Sequence, residues 1–90
     1  MKVVINDCHG GFGLSHEAYK YLNIPWDNYG YEFERDRANP DLVRCVEALG
    51  AKANGHYARL KIVEIPDGVD WIIEEYDGRE WVAENHRTWS

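Results

Sequence analysis

The chain has 90 residues, 44% of them apolar and 13% aromatic, and sixteen Asp and Glu against ten Lys and Arg leave a net charge of −6. Folding hides only about 60–65% of an extended chain's surface at this size, so one domain with one core is expected, and the apolar content sets the chain apart from disordered segments. The charge has the wrong sign for neutralising phosphates along a duplex, which argues against non-specific nucleic-acid binding.

No apolar run reaches the length of a membrane span and no apolar stretch follows Met1-Lys2, so the expected location is the cytoplasm, with no membrane partner. Cys8 and Cys45, in a chain without an export signal, are expected as free thiols.

Lys2-Val3-Val4-Ile5-Asn6 is a β-branched run that ends at polar residues and glycines, which predicts a strand buried on at least one face. After the glycines, Ser15 suits a helix N-cap and Glu17 suits the positive end of the helix dipole, giving a short helix over residues 15–22. Asn23-Ile24-Pro25 stops it, because Asn tolerates the left-handed conformation and a residue before proline is pushed out of the helical region. Past a loop at Trp26, Asp27 and Asn28, three aromatics (Tyr29, Tyr31, Phe33) alternate with Gly30, Glu32 and Glu34, a period of two that predicts a second strand.

Asn39-Pro40-Asp41 reads as N-cap, first-turn proline and first-turn acid, and Gly50 as the stop. Between them Leu42, Cys45, Val46 and Leu49 fall on one helical stripe, which assigns Cys45 to the core. A loop over residues 51–56 precedes a third strand in which Ala58, Leu60 and Ile62 alternate with Arg59 and Lys61. Asp77-Gly78 between residues 70–76 and 79–84 is the signature of a hairpin closed by a type I′ turn. The resulting expectation is an α+β fold: one mixed, mainly antiparallel sheet in the order β-α-β-α-β-β-β with two helices packed on it.

Four features bear on chemistry. In Asp7-Cys8-His9-Gly10-Gly11-Phe12-Gly13-Leu14-Ser15, the glycines free the backbone to approach a ligand, and a helix start at Ser15 offers amide groups to an anion such as phosphate. The spacing matches neither the P-loop nor G-x-G-x-x-G, and the competing reading is a tight turn that folds Phe12 onto the core. Asp7, Cys8, His9 and His16 lack the spacing of a zinc site, and His56 and His86 are remote in sequence, so no metal and no cofactor is expected.

The tail carries His86, Arg87 and Trp89, groups that stack on a base or hold a phosphate, although it also reads as a terminus laid over the sheet. Residues 64–84 hold eight acids against the single base Arg79, and the turn sets Glu75 opposite Glu80 and Trp71 opposite Glu84. Two opposed carboxylates repel, so this face is expected to be solvated or to meet a basic partner.

Cys8 through Ser15, Asn39-Pro40-Asp41-Leu42-Val43, Ile65-Pro66-Asp67-Gly68 and the run from Asp77-Gly78-Arg79-Glu80-Trp81 to Asn85-His86-Arg87-Thr88-Trp89 resemble an uncharacterised family of small bacteriophage and prophage proteins, over nearly the whole chain. The resemblance implies an accessory gene product acting in the host bacterial cytoplasm. Such products often inhibit or sequester host factors, nucleotide signals of antiviral defence among them.

The leading expectation is a non-enzymatic binding protein. It would sequester a nucleotide-like signal between Gly10, Gly11, Phe12, Gly13 and Ser15 of one subunit and His86, Arg87 and Trp89 of another, in a homo-oligomer that builds the pocket 90 residues cannot enclose alone. The alternatives are an acidic protein–protein inhibitor of a host factor, and a small enzyme acting on a phosphorylated substrate through Cys8, His9 or His86.

Overall fold

The computed structural model describes residues 1–26 and 36–84. The N-terminal β-branched run is β1 (Lys2–Asn6), with Val3, Val4, Ile5 and Asn6 all buried. It pairs antiparallel with β2 (Leu60–Glu64), Val4 opposite Ile62. Ala58 and Arg59 precede the strand instead of opening it.

The first helix, α1 (His16–Leu22), starts where Ser15 Oγ accepts the Ala18 N–H at 3.0 Å and ends at Asn23, whose φ of 58° is left-handed. The second, α2 (Pro40–Leu49), starts at Asn39, whose side chain accepts the N–H groups of Asp41 and Leu42, and ends at Gly50 (φ 57°) before a 3₁₀ turn, Gly50–Ala53. Of its stripe, Leu42 and Cys45 are fully buried and Val46 nearly so, while Leu49 is half-buried at the edge; Val43, off the stripe, is nearly buried as well. With Val4, Leu14, Ala18, Tyr19 and Ala53 these residues make the core, and Phe12, Leu22, Ile24, Trp26, Leu49, Leu60 and Ile62 pack around it. Residues 3 and 5 point to the opposite face of β1 from residue 4 and are buried too, so the strand is covered on both sides.

The chain then forms the hairpin of β3 (Trp71–Tyr76) and β4 (Arg79–Glu84), with Asp77 (φ 51°) and Gly78 (φ 90°) both in the positive region that a type I′ turn demands. Glu75 faces Glu80 and Trp71 faces Glu84.

The single mixed sheet does not form among the described residues. There are two separate two-stranded antiparallel sheets, β1–β2 and β3–β4. The reason lies on the outer edge of β1. Its Val4 N–H donates to Arg37 O at 2.9 Å and its Asn6 N–H donates to the Glu80 carboxylate at 2.8 Å, so a loop carbonyl and a side chain fill the positions a strand would have taken. β4 lies beside β1 without a backbone ladder. The strand expected at Tyr29, Tyr31 and Phe33 lies outside the described residues. Among those described, no helix is long and apolar enough to cross a membrane.

Candidate functional site

The glycine loop sits where the end of β1, the turn before β2 and the tip of the β3–β4 hairpin converge, and backbones touch it from three directions. A Cβ on Gly10 would lie 1.8 Å from Tyr57 O, and one on Gly55 would lie 2.6 Å from the Gly13 carbonyl carbon. At the hairpin tip, a Cβ on Gly78 would lie 2.6 Å from Gly11 N and from His9 O. Glycine is thus required by chain-on-chain approach at Gly10. Gly11 is different: its φ of 90° favours glycine, but the space over its Cα is open.

Asn6 organises this junction. Its fully buried side chain donates from Nδ2 to Cys8 O (2.7 Å) and Gly78 O (2.8 Å), and its Oδ1 accepts the Arg59 N–H at 2.8 Å. One side chain therefore fixes the loop, the hairpin tip and the approach to β2.

Glu80 completes the attachment of the hairpin. It is 8% exposed and takes a bidentate pair from Arg37, at 2.7 and 2.9 Å, besides the Asn6 N–H. Arg37 in turn lies over Phe12, its guanidinium carbon 3.5 Å from the ring centroid. The expectation of a solvated acidic face fails at this position, since the repulsion from Glu75 is answered by a half-buried guanidinium paired to Glu80.

With Gly78 held by Asn6 and Glu80 held by Arg37, the residue between them has little freedom. Arg79 Nε reaches Asp7 Oδ1 at 3.4 Å, and Arg59 approaches the other oxygen of the same carboxylate at 3.5 Å while donating to Asp7 O at 2.7 Å. Tyr57, 61% exposed, leaves the chain beside Gly10, with the His56 ring perpendicular to its own.

The sequence-predicted residues fall as follows. Gly10, Gly11, Phe12, Gly13 and Ser15 share one loop, and Phe12 does fold onto the core. Ser15 is engaged: its Oγ caps Ala18 and donates to Lys52 O at 2.6 Å, and its N–H donates to Ala53 O. The other half of the expected site, His86, Arg87 and Trp89, lies outside the described residues.

Cys8 and Cys45 are free thiols. That of Cys8 donates to Tyr57 O at 3.1 Å and is 3.5 Å from Asn6 Oδ1, neither of which is a base that could activate it. Burial pushes the Cys45 thiol up from 9.0 to about 11. His16 is stacked on Trp26, 4.9 Å between ring centroids, away from Cys8's partners. Among the described residues no group of three His, Cys, Asp or Glu side chains could hold a metal ion.

Sequence reasoning missed Asn6, Arg37, Arg59 and Arg79 as parts of one junction.

The outer face of the hairpin is the other notable surface. Alternation and register place Ile72, Glu74 and Tyr76 of β3 with Arg79, Trp81 and Ala83 of β4 on one side. Ile72, Trp81 and Tyr76 are 40%, 42% and 70% exposed, and Trp81 Nε1 donates to Glu74 at 3.1 Å. No family model, no curated protein and no solved structure matches the chain.

Proposed function

We propose that the chain is a non-catalytic binding protein of the accessory kind the phage resemblance implies, and that it docks through the β3–β4 hairpin onto a basic surface of a host protein. The observation that carries this reading is the exposure of Trp81, Tyr76 and Ile72 together on one hairpin face. Large apolar side chains exposed together on one face mark an interaction surface, and aromatic residues are the usual anchors of interfaces. Asp70, Glu74, Glu75, Asp77 and Glu84 lie on the same hairpin and would steer a basic partner toward it. A second mode, sequestration of a nucleotide-like signal at the glycine loop of a homo-oligomer, draws on a separate observation: two exposed arginines share Asp7 beside that loop.

The docking mode is tested by retention of a host protein on immobilised chain. Retention should fall about tenfold when salt is raised beyond the screening range, and Glu74→Lys with Glu75→Lys should abolish it. Glu80 is unsuitable for this charge reversal, because it is buried against Arg37. Retention that ignores both salt and the double reversal would contradict the reading.

A further inference from the structure

Among the described ion pairs, Lys2 meets Glu47, Arg44 meets Asp41, Arg37 meets Glu80 and the N-terminal amine meets Asp67, one cation to one acid. Asp7 is the exception. Arg59 and Arg79 both converge on it, so in a chain of net charge −6 these three groups together carry one positive charge in excess. Both pairings are long, 3.5 and 3.4 Å, where a strong charge-assisted hydrogen bond runs at about 2.7–2.9 Å.

Both guanidiniums also face water, with 67% of the Arg59 side chain and 57% of the Arg79 side chain exposed. Arg79 uses only Nε on Asp7, so the paired terminal nitrogens of its fork remain available among the described residues. A carboxylate and a phosphate present oxygen pairs of similar spacing to arginine, which is why the same fork binds both.

We infer that Arg59 and Arg79, held on either side of Asp7 next to Gly10 and Gly11, form a binding site for a phosphate group, and that Asp7 is the internal anion the phosphate displaces. The fold builds this corner by position alone. Arg59 is fixed through its own N–H on Asn6, and Arg79 is fixed between the anchored Gly78 and Glu80. Gly11, whose N lies against Gly78 beside Arg79, leaves open space where a side chain would stand. Tyr57, exposed beside Gly10, adds an aromatic face on which a base attached to the phosphate can stack. The site rests on the second mode proposed above, anion capture beside the glycine loop, whose recognition group it names, and it stands without hairpin docking.

The test is an NMR titration that follows the guanidinium Nε–H signals of Arg59, Arg79 and, as a control, Arg44. The probes are inorganic phosphate, adenosine monophosphate and uncharged adenosine at constant ionic strength. Phosphate and adenosine monophosphate should shift Arg59 and Arg79 together with a Kd of about 1 mM or tighter and leave Arg44 in place, and adenosine should do nothing.

Arg59→Gln and Arg79→Gln should each weaken binding about tenfold while amide spectra report an intact fold. Asp7→Asn should tighten it about threefold by removing the competing carboxylate. Tyr57→Ala separates the two sources of the group: selective loss for adenosine monophosphate identifies a nucleotide, and equal affinity for both probes identifies free phosphate. Absence of any shift at Arg59 and Arg79, equal shifts at Arg44, or an Asp7→Asn variant that binds no tighter would overturn the inference.

Discussion

Replacing Glu80 by Ala takes away a carboxylate that holds three hydrogen bonds at the root of the hairpin, two from Arg37 and one from the Asn6 N–H. Stranding one member of a fully buried ion pair costs about 3–5 kcal/mol. Arg37 keeps 22% of its side chain exposed, so water recovers part of that and about 3 kcal/mol applies. The orphaned N–H of the fully buried Asn6 adds about 1 kcal/mol. A loss of about 4 kcal/mol is a large share of the roughly 5–13 kcal/mol that stabilises a domain of this length.

In melting temperature this is a drop on the order of 16 °C or more. Glu80→Gln keeps one oxygen for the Asn6 N–H but loses the charge and turns an amide donor toward Arg37, so it should cost less than Glu80→Ala only by about the 1 kcal/mol of the retained hydrogen bond. Urea unfolding followed by tryptophan fluorescence, with thermal melts by circular dichroism, measures both variants. Glu80→Ala within about 1 kcal/mol of wild type, or no worse than Glu80→Gln, would refute the assignment of this carboxylate as the anchor.

Gly10→Ala should destabilise far more than Gly11→Ala. The first drives a methyl into the Tyr57 carbonyl, and the second meets open space and bears only the positive-φ strain of about 1 kcal/mol; equal melting temperatures would contradict this. Ser15→Ala should cost about 1 kcal/mol by removing the α1 cap, read from the same urea curves. Cys45 should resist alkylation in the folded protein while the half-buried Cys8 reacts. Because the folded Cys45 pKa is raised to about 11, the unfolded chain releases its proton first; stability from this group is intact below pH 9, falls as pH rises and is lost by about 11. Cys45→Ala should remove that part of the alkaline slope.

Local signals were readable before the structure was known. Asn39-Pro40-Asp41 and Ser15 state their caps within four residues, and Asp77-Gly78 states its turn in two, because the interactions they announce are local. The junction was not readable. Glu80 is charged and sits in an alternating strand, which reads as solvated, and the guanidinium that buries it lies 43 positions away.

Likewise the glycines of residues 10–13 announce a constrained backbone but not its cause, which is the approach of Tyr57, Gly55 and Gly78 from distant parts of the chain. Element order alone suggested one sheet. What divides it is a carbonyl and a side chain on the edge of β1, and neither follows from the pattern of apolar residues.

The docking account is tested most directly by a photoreactive benzoyl-phenylalanine placed in turn at Trp81, at Tyr76 and, as a control on the helical side, at Tyr21, which is 48% exposed. Irradiation in host cells should join the two hairpin positions to the same basic protein, with no such adduct from Tyr21 and none from hairpin probes carrying Glu74→Lys with Glu75→Lys. An adduct pattern shared by all three positions, or no adduct from either hairpin position, would contradict the claim that the hairpin is the working surface.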